Sequence, residues 1–422
     1  VKSVFLPYGR TKLELSLPEG HPVQILEPGA YPRVNAAEDI LQAALAKPIG
    51  SPGLDELTRE ARKILILTND NTRPMPSSFT IPAMVSHFYH PAEYYTITIL
   101  IATGLHRPMT QAEMREQFGD PVCGAYRIVN HDARDKNSLV SFGLLSTGNE
   151  LYLNKLVREQ DLVIAEGFIE SHFFAGFSGW RKSILPGVAG ESTILANHKP
   201  ENIAHPGARQ ANLSGNPIHE ECAEAAGRAG LRFILNVALD KDKRIIAAFA
   251  GDPAKAHEAG CRFVESTMSV DAKRADIVVT SNNGYPLDRN LYQVVKGVDT
   301  AAGAAAENGV IIIAARCEDQ VGHADFQKLL LSCDSLDQLR ETMSVSPSAI
   351  DKWQVQVLAK TLLHHKVILV SEGIDSELAE RMFFSTAKTI DEAMAIAISL
   401  KGKDASICVI PEGPVIIPRV SD

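Results

Sequence analysis

No two cysteines stand close enough to form a paired-thiol motif: Cys123, Cys222, Cys261, Cys317, Cys333 and Cys408 are scattered singly through 422 residues. A disulfide framework or a thiolate zinc site needs tighter grouping, so the expectation is buried, reduced thiols, and a metal would have to find other ligands. Positive charge is also short. The 42 Lys and Arg against 51 Asp and Glu leave a net charge of -9, too little basic field for a nucleic-acid partner. No apolar run approaches the roughly 20 residues of a membrane span. The opening Val1-Lys2-Ser3-Val4-Phe5-Leu6-Pro7 is too short an apolar stretch for a secretory signal. Together these predict no membrane association and a cytoplasmic location. Internal repeats, low-complexity linkers and a GxGxxG after an early strand are absent as well, which removes support for a nicotinamide-dependent dehydrogenase.

What is present is ordinary globular composition, 45% hydrophobic and 22% charged, in a chain long enough for two domains with a core each. Residues 3–7 and 12–17 alternate in period two around Gly9-Arg10 and predict a hairpin. Short runs apolar on both faces follow, at 63–68, 95–101, 162–165 and 233–237, separated by amphipathic helical segments. A similar series begins afresh at 277–280, 310–314, 367–370 and 407–410. Such runs suit parallel strands covered by helices. The fold class expected is therefore α/β: two α/β domains with mainly parallel sheets facing an interdomain cleft. The boundary is placed at 268–275, after a helix opening at Asp252-Pro253, an Asp N-cap followed by Pro. This gives an N-terminal domain over 1–268, to which 404–422 is a candidate to return, and a C-terminal domain over 272–403.

In open α/β sheets ligands bind beyond the carboxyl ends of the strands. Four loops there are unusually polar: Asn69 to Pro74, Ala102 to Pro108, the glycine-rich stretch from His172 to Gly187, and Ser281 to Pro286 with Tyr292, Gln293 and Lys296 beyond it. Each has an everyday reading. Asp70 is equally a turn former or helix cap, His106 alone is more often a loop histidine, and Lys182 beside Arg181 is most often a solvated pair. Convergence changes the balance, because loops at the same edge of both sheets supply Asp70, Arg73, His106, His172, Lys182, His198 and Lys296. A cleft lined by imidazoles and cations in an acidic protein suggests a small anionic ligand.

These residues also carry a resemblance. Asp70 through Pro74, Gly104-Leu105-His106-Arg107, His172 through Gly179, Lys182-Ser183-Ile184-Leu185-Pro186-Gly187, Asn197-His198, Gly215-Asn216-Pro217 and Tyr292 through Gly297 resemble, in order and spacing, the motifs of the lactate racemase family. The resemblance implies a nickel-pincer nucleotide, a pyridinium mononucleotide with two sulfur-containing substituents, attached covalently to Lys182 through a thioamide. It implies His198 as the one protein ligand to nickel, in keeping with the preference of Ni(II) for imidazole. The activity implied is racemisation or epimerisation of a 2-hydroxy acid by reversible hydride transfer at C2, with His106 and His172 as the two general acid/bases.

The remaining roles are implied in the same way. Asp70 is expected at the cofactor ribose, Arg73 at its phosphate or a carboxylate, and Tyr292 and Gln293 at the cofactor edge. Lys296, Asn71 and Trp353 are expected at the substrate, Trp353 having a core position as its alternative. The N-terminal domain would hold the cofactor and the C-terminal domain close over the substrate. Partners would be the small-molecule 2-hydroxy acid and, transiently, the cofactor-assembling enzymes; the oligomeric state is left open. The chain departs from the family pattern at Asn71, where lactate-converting members tend to have a second basic residue, and at Trp180 and Ser171. The first departure predicts a substrate larger than lactate. Two other readings stand beside this one: a non-catalytic cofactor carrier, and an oxidoreductase of the same cofactor class.

Overall fold

The computed structural model describes residues 3–29, 36–345 and 348–420. Its frame is two six-stranded sheets. Across the first, the order is Ile245–Gly251, Leu231–Leu239, Leu162–Phe168, Lys63–Asn69, Thr96–Ala102 and Arg127–Asn130. All its pairings are parallel except that of the edge strand Ile245–Gly251. The second sheet is parallel throughout and runs Ser385–Thr386, Lys366–Val370, Ala305–Ala314, Ala275–Ser281, Ile407–Ile410 and Val23–Ile25.

The alternation of side chains explains why these runs are apolar throughout. From Lys63–Asn69, Leu65 and Leu67 enter one core while Ile64 and Ile66 enter the core on the opposite face. Ile277 and Val279 likewise face away from Val278 in the second sheet. Helix starts are set by local capping: Thr110 and Glu113 form a reciprocal capping box, and Asp252 accepts from the Lys255 N–H ahead of Pro253.

The expected hairpin forms, with Ser3–Tyr8 pairing antiparallel to Thr11–Ser16 and Gly9 at φ +54 in the turn. Its place corrects the expected boundaries. Val4, Leu6, Tyr8 and Leu15 pack against Ile277, Val279 and the helix Ile390–Lys401, so the start of the chain belongs with the second sheet, not with a domain over 1–268. Val23–Ile25 extends that sheet by pairing with Ile407–Ile410, which itself pairs with Ala275–Ser281. Residues 404–410 thus do not return to the first sheet. The segment from Pro414 on does reach the first domain: Ser171 Oγ donates to the Pro414 carbonyl, Ile417–Val420 pairs with Ser269–Ala272, and Ile417 packs among Ile169, Phe177, Ala238 and Val264.

No helix among the described residues is long and apolar enough to cross a membrane.

Candidate active site

The carboxyl ends of the two sheets face one cleft of about 1030 Å³, its mouth included. Asp70, Arg73, His106, His172, Lys182, His198, Tyr292, Gln293, Lys296 and Trp353 all line it, whereas Asn71 lines an adjoining outer cavity and the loop Ser281 to Pro286 lies outside it. Asn71 borders that outer cavity beside Asp70 and His106, which line both spaces. The strands leading to His106 and His172 flank Lys63–Asn69 on opposite sides, so the two imidazoles enter from different walls.

Asp70 directly follows Lys63–Asn69 and is buried. Its Oδ2 lies 2.6 Å from His106 Nδ1, while its Oδ1 accepts from the backbone N–H and the hydroxyl of Thr72. Burial opposes the carboxylate charge, yet His106, Arg73 and Thr72 outweigh it and hold the carboxyl well below its usual range. Oδ1 is thus filled by Thr72, while Oδ2, with His106 as its one partner shown, keeps a lone pair that can accept from a ligand hydroxyl. An ionised Asp70 makes Nδ1 of His106 the N–H donor and leaves Nε2 as the ring's acceptor. Arg73 Nη1 donates to Thr72 Oγ1 at 3.0 Å and to Gln293 Oε1 at 3.4 Å, linking the two domains.

His172 sits on a two-residue antiparallel pairing with Gly176. The next turn is held from beneath by Arg181, fully buried, whose Nη2 donates to the carbonyls of Ala175 (2.7 Å) and Phe177 (2.8 Å). Gly179, at φ +84, brings the chain against Asn236, where a Cβ would lie 2.7 Å from the amide oxygen. With Arg181 turned inward, Lys182 projects into the cavity, its Nζ 3.1 Å from His172 Nε2 and over the Phe174 ring. Burial, then the charge of Arg181 and Arg73, lowers Lys182 to about 7 despite Cys222 and Glu170. His172 lies well below the ordinary histidine value because it is buried and faces Lys182, Lys296 and Arg73. Its Nδ1 accepts from the Ala175 N–H at 3.2 Å.

His198 follows the helix Glu191–Asn197 and is buried between the rings of Phe174 and Trp353. Burial and Lys182 push it down to about 3, so it is a neutral imidazole, and its Nδ1 has no partner among the described residues. The same residues contain no group of three or more His, Cys, Asp or Glu able to hold a metal, so a metal bound at His198 would need donors from a ligand.

The second domain contributes the helix Leu291–Ala304, capped by Asn290. Lys296 Nζ is buried without a partner among the described residues, and burial with Arg73 and Lys182 nearby lowers it to about 7. Trp353 joins the hydrophobic core and also lines the cleft, its Nε1 donating to Tyr292 Oη at 3.1 Å.

Two cleft residues escaped the sequence reading. His323 stacks on Tyr292 (centroids 3.8 Å, planes at 6°), and its Nδ1 lies 3.1 Å from the buried Asp351. The signal that points to His323 is its place in the loop beyond the carboxyl end of the strand Ala305–Ala314, where α/β sheets present ligand-binding residues.

Comparison with known proteins gives the following. Models of the lactate racemase N-terminal domain and C-terminal domain match residues 8–211 and 270–417. The lactate racemase of Thermoanaerobacterium thermosaccharolyticum is 44% identical over 422 residues, covering 99% of each chain. That of Lactiplantibacillus plantarum is 41% identical over 417 residues, covering 97% of this chain and 98% of its own. The lactate racemase apoprotein structure from T. thermosaccharolyticum superposes with a TM-score of 0.92 at 43% identity, covering 99% of this chain and all of that one (100%). A Thermotoga maritima protein shares the fold alone, with a TM-score of 0.67 at 15% identity over 93% of this chain and 100% of its own.

Proposed function

Since this chain belongs to the lactate racemase family, we propose that it interconverts the two hands of a small 2-hydroxy acid, with His106 and His172 as paired bases and a nickel-pincer nucleotide tethered to Lys182. The observation that carries the reading is the placing of two imidazoles on different walls of one cleft, with a lysine amine of lowered basicity beside one of them. A carrier would need the lysine and His198 but not a second, Asp-oriented histidine.

The residues present fit the cofactor. His198 offers an uncharged imidazole with an unpartnered nitrogen, and Lys182 an amine poised to lose its charge near neutrality. Arg73 and Lys296 bring positive charge suited to a phosphate or carboxylate. When bound, the nucleotide supplies a reversible hydride acceptor. The chain does the rest. Arg73 and Lys296 hold the substrate carboxylate or the cofactor phosphate, while Tyr292, Trp353 and Phe174 exclude water. His106, oriented by Asp70, takes the hydroxyl proton of one hand through Nε2. His172 serves the other hand, and acylation of Lys182 would remove the nearest charge that now opposes its protonation.

Asn71 was the basis for expecting a larger substrate, and it faces the outer cavity. We therefore place lactate first, in keeping with what the two relatives are named for. The test is protein made alongside the cofactor-assembling enzymes and given single hands of lactate and of larger 2-hydroxy acids, each deuterated at C2. The expected product is the opposite hand with deuterium retained. Accumulated keto acid would favour the oxidoreductase reading, and loss of deuterium to solvent would contradict hydride transfer.

The metal assignment has its own check. His198→Ala is expected to keep the organic adduct by intact mass but lose most of its nickel by elemental analysis, because the one protein donor is gone while the ligand donors remain. Full nickel content in that variant would place the ligand elsewhere.

A further inference from the structure

A racemase with two bases has a bookkeeping problem. Each conversion of one hand into the other leaves a proton on one imidazole and removes one from its counterpart. Before the same conversion can repeat, His106 must give up its proton. His172, deeper in the cleft, is buried against the rings of Phe173 and Phe174, with centroids 4.7 and 4.6 Å away. His106 differs: its side chain is 21% exposed, and it lines both the inner cleft and the outer cavity.

One other histidine borders both spaces. His323 stands edge-on to His106 with ring centroids 5.4 Å apart. It mirrors His106 chemically, because each ring has Nδ1 against a buried aspartate: Asp70 for His106 at 2.6 Å, Asp351 for His323 at 3.1 Å. Each therefore keeps Nε2 free of the anchoring carboxylate. Asp351 holds its position in the left-handed region, at φ +61, at the start of the helix Lys352–His364. Tyr292, stacked flat on His323, fixes the plane of the ring. One pair comes from the first domain and the other from the second, so they meet only across the cleft.

We propose that the His323–Asp351 pair is the proton port of His106, passing the proton released by each turnover from His106 Nε2 to water in the outer cavity and returning one for the opposite direction. The inference rests on the reading of His106 as a base. Only N–H bonds of the rings and O–H bonds of water are made or broken, solvent being the only co-reactant, and the proton that His172 gives up in the same conversion is regained from water as product leaves the cleft. His323 touches neither substrate nor cofactor in this role; it acts through His106.

The test is His323→Asn, which keeps a side-chain amide for Asp351 but cannot titrate. In the loaded enzyme, oxidation of the first bound substrate, read as the cofactor absorbance change, should stay within about twofold of wild type, while steady-state racemisation at low buffer falls roughly tenfold or more. Raising the concentration of a small buffer, imidazole, should restore the steady-state rate of the variant and leave wild type unchanged. A purely structural role would not respond to buffer. In the unloaded protein, exchange of the His106 ring proton with water, followed by NMR of nitrogen-labelled histidine, should slow. Wild-type racemisation in the variant, or a loss that imidazole does not restore, would overturn the port. Wild-type racemisation in His106→Gln would instead remove the base assignment beneath it.

Discussion

Lys182→Ala is expected to lose the covalent adduct completely and to bring racemisation to background, while the fold and melting temperature remain close to wild type. The loop around it does not depend on the lysine for its shape. Arg181 anchors the turn through the Ala175 and Phe177 carbonyls, and Lys182 spends its side chain on the cavity. Lys182→Arg should fail in the same way, because a guanidinium retains charge but cannot be acylated at neutral pH. The attachment should also have a characteristic pH dependence. A lysine whose basicity is lowered to about 7 is uncharged, and so nucleophilic, above that value. Acylation of the unloaded protein by a small anhydride, mapped by mass spectrometry, should therefore rise at Lys182 as pH rises through about 7 and then level off. Surface lysines should go on rising toward their usual value near ~10.4. An unchanged adduct mass in Lys182→Ala would end the tether assignment.

Much of this arrangement could be read from the sequence because parallel strands covered on both faces must be apolar at every position. Lys63–Asn69, Thr96–Ala102, Ala275–Ser281 and Ile407–Ile410 all announce themselves in that way. The polar residues just beyond their ends are then the natural candidates for a site. What escaped was information that local patterns do not hold. The pairing of Val23–Ile25 with Ile407–Ile410 joins the two ends of the chain, and nothing in either segment names its partner. Ile245–Gly251 is rich in alanine and lies at a sheet edge, so its signal is weak. The turn before it is held by Asp240, which accepts from the N–H groups of Asp242 and Arg244. Asp70 was expected at the cofactor ribose because the family resemblance implies it there. That His106, 36 positions further on, would occupy it is a fact of three dimensions.

The two-base account is tested most directly by comparing His106→Gln with His172→Gln, each loaded with cofactor and each given pure single hands of the substrate. A full racemisation cycle uses both imidazoles, so either variant should lose turnover in both directions, by roughly 10²–10⁴ for a positioned proton-transfer group. Half of the cycle should survive in each. With His106 gone, the hand served by His172 should still be oxidised, and with His172 gone, the hand served by His106, each seen as a change in cofactor absorbance. The account predicts that the two variants prefer opposite hands. The same preferred hand in both, or near wild-type racemisation in either, would contradict it and leave one of the two histidines with a structural role alone.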